Sequence, residues 1–274
     1  MKKLSQKTAF LALFLGLSYA AQSQFEFPTM GLRSVGMGGL SVALTDAASA
    51  LANTAALSQQ QGTLVAISYR QDYLLSGTAH KWIAAAHSMS ATGTATASYH
   101  HYGDPNYSEQ KLSLGYAQLV NQHISLGATL DYLYSGVSDV HYSTLHGLTF
   151  SASLQATIGR QWTIGSQIFN PIALRIGSQQ RIPALLAVGA AYQPAPEWTT
   201  SVEVQKSLYS PVSFHWGAEY TFLQHFAARA GFATQPVRYA FGIGFHQTHY
   251  SINIAVEVHQ HIGLTTAIGG SLVL

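Results

Sequence analysis

The 274-residue sequence contains no cysteine. Disulfides, thiol nucleophiles and thiolate metal ligands are thereby excluded, and so is lipid attachment through an N-terminal cysteine. Charge is nearly as scarce, since Asp, Glu, Lys and Arg make up 9% of the chain, against roughly 25% in soluble domains. Such a chain lacks the ionic coat of a water-exposed surface. Beyond the first two dozen residues no run approaches the length of a membrane-spanning helix, so helical spans are excluded. No basic stripe suits a nucleic acid. No serine stands in a Gly-x-Ser-x-Gly elbow, and no catalytic residues are expected.

What is present begins with an export signal. Lys2, Lys3 and Lys7 form a positive flank, Ala9 to Tyr19 an apolar stretch, and Ala20, Ala21 and Ser23 a small-residue cleavage region. Cleavage after Ser23 is expected, leaving Gln24 first. Residues 1–23 hold three of the 13 basic residues and none of the 11 acidic ones, so the remainder has ten against eleven and a net charge of −1.

From Gly62 onward apolar residues alternate with small or polar ones, the period of a strand with two unlike faces. Phe214, Trp216, Ala218, Tyr220 and Phe222 oppose His215, Gly217, Glu219 and Thr221. Val237, Tyr239, Phe241, Ile243 and Phe245 oppose Arg238, Ala240, Gly242, Gly244 and His246, and Leu148 to Ile158 repeats the pattern. Fourteen such segments run over 62–70, 79–90, 92–102, 108–120, 123–135, 146–159, 162–170, 184–193, 197–206, 212–222, 225–234, 237–247, 249–258 and 262–273. A tilted strand needs about 9 to 11 residues to cross a bilayer, longer than the strands of a soluble sandwich. Longer links follow most odd segments (71–78, 103–107, 136–145, 171–183, 207–211), and tight ones follow the even segments. Membrane barrels show this alternation of outer loops and periplasmic turns, and an even count returns both ends to the periplasm. The expected fold is all-β, a transmembrane antiparallel barrel of about 14 strands in a bacterial outer membrane.

Residues 24–61 do not alternate. Gly31, Arg33, Gly36, Met37, Gly38 and Gly39 fall in a glycine-rich stretch, followed by Asp46, an alanine-rich run suited to a short capped helix, and Asn53. A dinucleotide loop is not indicated, because no strand precedes the glycines and no βαβ unit follows. The chain therefore divides into a signal (1–23), a hatch segment (24–61) packed in the barrel lumen, and the barrel (62–274).

The run Gly31 to Leu57 resembles the N-terminal signature of the long-chain fatty-acid transporter (FadL) superfamily, particularly its PorV/PorQ-type branch. The shared features are the Arg and Met-Gly-Gly stretch, the Asp-Ala-Ser-Ala segment, and Asn53-Thr54-Ala55 where the family has Asn-Pro-Ala. Thr54 departs from the proline and implies a looser turn. The likeness continues through Phe169-Asn170-Pro171, Trp216 to Tyr220, Ala228 to Phe232 and Phe241 to Phe245. It implies fourteen strands with the hatch inside, and transport of a small hydrophobic compound such as a fatty acid. The PorV/PorQ branch implies an alternative, a non-transporting barrel serving type IX secretion or surface attachment. The implied partners are outer-membrane lipid with either a hydrophobic small molecule or secretion-system proteins, and no cofactor.

Asp131, Glu203, Glu219, Arg229, Arg238 and Glu257 all fall on the phase opposite the bulky apolar residues and should face the lumen. An arginine on the lipid face at mid-membrane would cost about 2–4 kcal/mol. The six suit either an ion-pair ladder that braces wall and hatch or a polar path for substrate. Glu257, His259 and His261 share one strand side, near His246 and His249. A single strand does not give the convergence that a metal needs, so no metal site is expected. Trp82, Trp162, Trp198, Tyr116, Tyr134 and Tyr192 suit interfacial girdles.

Overall fold

Fourteen long strands close into an antiparallel barrel in the computed structural model, which describes residues 25, 27–45, 53–139, 141, 143–176 and 180–274. In chain order the strands are β1 (Thr63–Gln71), β2 (Ala79–Ser90), β3 (Gly93–Gly103), β4 (Tyr107–Asn121), β5 (Ile124–Val137), β6 (Leu145–Ile158), β7 (Trp162–Phe169), β8 (Arg175–Ile176), β9 (Gln180–Arg181), β10 (Leu185–Ala195), β11 (Trp198–Ser207), β12 (Ser213–Phe222), β13 (Phe226–Thr234), β14 (Val237–His246), β15 (Tyr250–His259) and β16 (Gly263–Val273). Each barrel strand pairs with its sequence neighbour, β7 pairs directly with β10, and β1 closes on β16. The fourteen expected segments match the barrel strands to within two residues at every end. The β7–β10 connection, expected as irregular, carries the short β8–β9 hairpin.

Alternation sorts the side chains. Ile67, Leu114, Leu130, Leu148, Phe241 and Ile243 point outward, each more than half exposed, which only hydrocarbon makes favourable over such an area. Among the described residues the outward phase of the barrel strands carries two charges, Lys81 and Lys206, both near the rim with the longer connections. Call that the outer rim. At the opposite rim Trp162 stacks on Tyr192 at 4.5 Å and Trp198 packs on Tyr220 at 4.7 Å, as an interfacial girdle requires. The barrel's first and last residues meet at this rim, where Thr63 and Leu274 exchange backbone hydrogen bonds.

Trp82 corrects the girdle assignment. Its even phase in β2 is that of His80, Ala84 and Ala86, all buried, so it points inward and lines a recess with Met30 and Leu32. Alanines on both faces of β2 made its phase ambiguous.

The described residues of the N-terminal segment pack inside the barrel. A short helix, α1 (Leu32–Gly36), packs on β13–β16, and a single 3-10 turn (Thr54–Leu57) packs on β4–β6 before the chain enters β1. Met37, Leu40, Val42, Leu44 and Leu57 are fully buried there. The expected signal, Asp46 and the helix expected after it lie outside the described residues.

Candidate functional site

The hatch lies close against the wall because the wall has glycine at the contact points. A Cβ on Gly217 or Gly231 would strike the Met37 carbonyl, one on Gly165 the Val42 carbonyl, and one on Gly127 the Ala55 amide. Gly36 and Gly242 meet backbone to backbone, with a Cβ on either only 3.1 Å from the other's Cα. On the hatch side Gly38 and Gly39 turn the chain at φ +83° and +85°, a region open to glycine, and a Cβ on Gly38 would lie 2.9 Å from the Phe232 amide. At these glycines the lumen space is taken by hatch backbone.

Polar latches then hold the segment. The Glu203 carboxylate accepts from the Ser41 amide (2.7 Å), the Val42 amide (3.0 Å) and the Ser41 hydroxyl (3.1 Å). His215 bonds through Nδ1 to the Gly38 carbonyl at 2.7 Å, so that nitrogen carries the proton. Arg33 of α1 meets Glu219 at 2.8 Å and the Thr199 hydroxyl at 3.4 Å. Arg229 grips the same Glu219 from the neighbouring strand at 2.5 Å and also reaches Asn253 and His246, both at 2.7 Å. Two guanidiniums thus share one buried carboxylate, one from the hatch and one from the wall. Asn53 donates to the Val42 carbonyl and the Ala55 amide donates to Ser153. The turn that begins at Thr54 is therefore buried and anchored from both sides, where the missing proline had implied looseness.

The six wall charges divide by location. Glu203, Glu219 and Arg229 serve the hatch latches. Asp131 accepts from Ser113 (2.5 Å), Ser151 (2.6 Å) and Thr129 (3.2 Å) within the wall. Arg238 and Glu257 lie 3.5 Å apart toward the outer rim. Glu257 also pairs with Arg70 at 2.7 Å, bridging over β16 across the β1–β16 seam. His259 ends β15, and His261 sits in the turn beyond with ring centroids 6.3 Å apart, so Glu257, His259 and His261 do not converge.

The outer mouth holds residues that the sequence reading did not single out. Arg70 pairs with Asp72 at 2.6 Å, Asp72 with His80 at 3.3 Å, and His80 with His100 at 3.0 Å. Asp72 sits in the loop after β1. Burial alone would raise its pKa, but hydrogen bonds and charge from His80 and Arg70 carry it down to about 2. The adjoining Tyr73 and Leu74 both adopt φ +55°, and the Tyr73 amide donates to Thr265 at 3.1 Å, folding the loop over the mouth. Their signal was available in phase, because Arg70, His80 and His100 are inward positions of β1–β3. Positions near strand ends, however, do not reveal which loop side chains meet them.

Beside this network lies a packed apolar cluster. Phe25, Leu133, Ile176 and Ile182 are buried together, with Phe27, Leu145, Phe169 and Leu174 packed around them. The cluster is covered by described residues of the β7–β10 connection, where Asn170 holds the Ile182 carbonyl at 2.9 Å. A small recess of about 10 Å³, room for little more than one water, lies between Met30–Leu32 of the hatch and Ala66, Ser68, Trp82 and Asn253 of the wall.

No protein-family model matches the chain, and no curated protein does. Solved structures do. The CymD monoaromatic hydrocarbon channel superposes with a TM-score of 0.74 at 12% identity, covering 92% of this chain and 99% of that one. The toluene transporter TodX of P. putida gives 0.68 at 12% identity, covering 91% and 99%. A Pseudomonas aeruginosa FadL homologue gives 0.62 at 14% identity, covering 91% and 98%. At such identities the likeness speaks for architecture. The chain has a FadL-like fold, a closed fourteen-strand barrel with its N-terminal segment inside.

Proposed function

We propose that the protein is an outer-membrane channel that passes small hydrophobic compounds, with residues 24–61 as its hatch. The observation that carries this reading is the hatch itself. Its described residues pack inside an apolar-coated barrel, yet polar contacts centred on Glu203, His215 and Glu219 hold them to the wall beside an apolar cluster. Hydrogen bonds to charged groups are worth about 1.5–3 kcal/mol each, so a ligand can release the segment without unfolding the wall. The names of the structural neighbours, hydrocarbon channels and a toluene transporter, support the same class of cargo. A fatty acid belongs to that class. The secretion reading, with PorV/PorQ-type partners, gains less support, since the longest outer connection turns into the lumen and builds no platform.

The test is whole-cell uptake in a host with an intact lipopolysaccharide leaflet and no channel of its own. Producing this protein should raise the initial uptake of radiolabelled toluene or fatty acid above the empty-vector rate. Unchanged uptake of both, with the barrel shown to be folded in the outer membrane, rejects the channel reading.

A further inference from the structure

We propose that the outward face of β1–β6 at the outer rim is a docking surface for a phosphorylated glycolipid of the outer leaflet, with Lys81 as its phosphate-binding residue. The proposal rests on the outer-membrane part of the channel reading and is independent of the cargo.

Strand register places Tyr69, Lys81, His101, Gln110, Tyr134 and His146 in one unbroken row on the outward phase of β1–β6. One rung lower, toward the membrane centre, it aligns Ile67, Ile83, Tyr99, Leu112, Tyr132 and Leu148. From Leu148 to Ile158 the outward residues of β6 are all apolar, a stretch that covers about 25 Å of membrane at the tilt of a barrel strand. The polar row therefore stands where the hydrocarbon ends. The tyrosines below reach up to it, the Tyr99 hydroxyl donating to Gln110 at 2.9 Å and the Tyr132 hydroxyl meeting His146 Nδ1 at 2.6 Å. On the far side of the barrel the same rim turns apolar, with Leu186, Phe214 and Phe232 outward on β10, β12 and β13. Lys206, on β11 between them, already donates to the Ser210 carbonyl at 2.7 Å.

The Lys81 ammonium has no such partner. It is exposed between Tyr69 and His101, and among the described residues it makes no hydrogen bond or ion pair. The acids of the adjoining loops are engaged elsewhere. Asp72 is held by Arg70 and His80, Asp104 by the amides of Asn106 and Tyr107, and Asp139 by the amide and ring of His141. A cation at the hydrocarbon boundary turns toward the headgroups, and an anionic one draws it further. A phosphate gives Lys81 the anion that the protein does not provide. Sugar hydroxyls suit Gln110 and His146, sugar ring faces suit Tyr69 and Tyr134, and acyl chains suit the row beneath. Six neighbouring strands extend over about 24 Å, a width for several acyl chains side by side and more than a two-chain phospholipid fills.

The experiment is native mass spectrometry of the protein in non-ionic detergent, titrated with bisphosphorylated lipid A, the same lipid A stripped of its phosphates, and phosphatidylglycerol. A charge-assisted contact of ordinary strength corresponds to about tenfold tighter binding of the phosphorylated lipid A than of the stripped form. Lys81→Met should erase that margin, Lys81→Arg should keep it, and Lys206→Met should leave it whole. Equal affinity with and without phosphate, or a margin that survives Lys81→Met, overturns the site. An equal loss in Lys206→Met overturns it too, because any cation on the rim would then serve. Phosphatidylglycerol binding as tightly as phosphorylated lipid A overturns the glycolipid assignment. Should Lys81→Met fail to fold, as judged by loss of heat-shifted gel mobility, Tyr134→Leu decides: lipid A binding should weaken several-fold, and unchanged affinity rejects the face. Uptake by cells separates the two readings. Passage of toluene without phosphate-dependent binding sinks this inference and leaves the channel standing, whereas the binding margin without any passage does the reverse.

Discussion

Glu203 shows how much a single inward carboxylate does in this lumen. It is 1% exposed and accepts two backbone amides and a hydroxyl from the hatch. Glu203→Ala would leave those donors buried without partners, at a cost of about 1–3 kcal/mol. The expected outcome is local: amides of residues 38–45 lose hydrogen-exchange protection while barrel amides keep theirs, and equal loss in both would show that hatch and wall unfold together. Asp72 makes a prediction in pH. Its carboxyl is depressed in the folded state from an ordinary value of 3.8 to about 2 by His80 and Arg70. Its contribution is therefore fully present above the unfolded value and is lost as pH falls through the folded one. Protease cleavage of the 72–78 loop should stay flat from neutral pH to mildly acidic conditions and rise between about pH 4 and 2. In Asp72→Asn it should start high and show no step in that window. A step near neutral pH would place control with the histidines instead. Phase made Glu203, Glu219 and Arg229 legible as inward residues, but not Arg33, whose partner lies 186 positions away in the chain.

At the scale of elements, the wall and the hatch follow different rules. Each barrel strand is specified by period two, and its ends by polar or glycine-bearing links, which is why expected and observed strands nearly coincide. The hatch has no such period. It is ordered by complementarity to a finished barrel, through notches such as Gly165, Gly217 and Gly231 that read in the sequence only as weak strand positions. Gly165→Val should therefore separate the two elements. Its side chain would enter the space of the Val42 carbonyl, while β-branching favours the strand itself. The expected result is a barrel with unaltered heat-shifted mobility and a hatch that trypsin and chymotrypsin cut. A resistant hatch would mean that the segment has another seat in the lumen.

For the whole molecule, the decisive property is inversion: bulky apolar side chains outside, and carboxylates and guanidiniums within. Phe241, 57% exposed at mid-strand of β14, tests it. Phe241→Arg should destabilise the barrel by about 2–4 kcal/mol in bilayer-refolding titrations with denaturant. A change near zero would mean that this face meets water or protein and not lipid. Sequence alone determined the all-β class, the fourteen strands and the two unlike faces of each. All of these follow from local periodicity, and a strand's two faces are written into adjacent residues. Tertiary structure decided which inward charges meet the hatch, that Trp82 turns inward, that glycine notches are filled, and that Phe25, Leu133, Ile176 and Ile182 are buried together. Such contacts depend on the shear and register of a closed barrel, which bring together side chains far apart in the chain, and no local pattern encodes that distance.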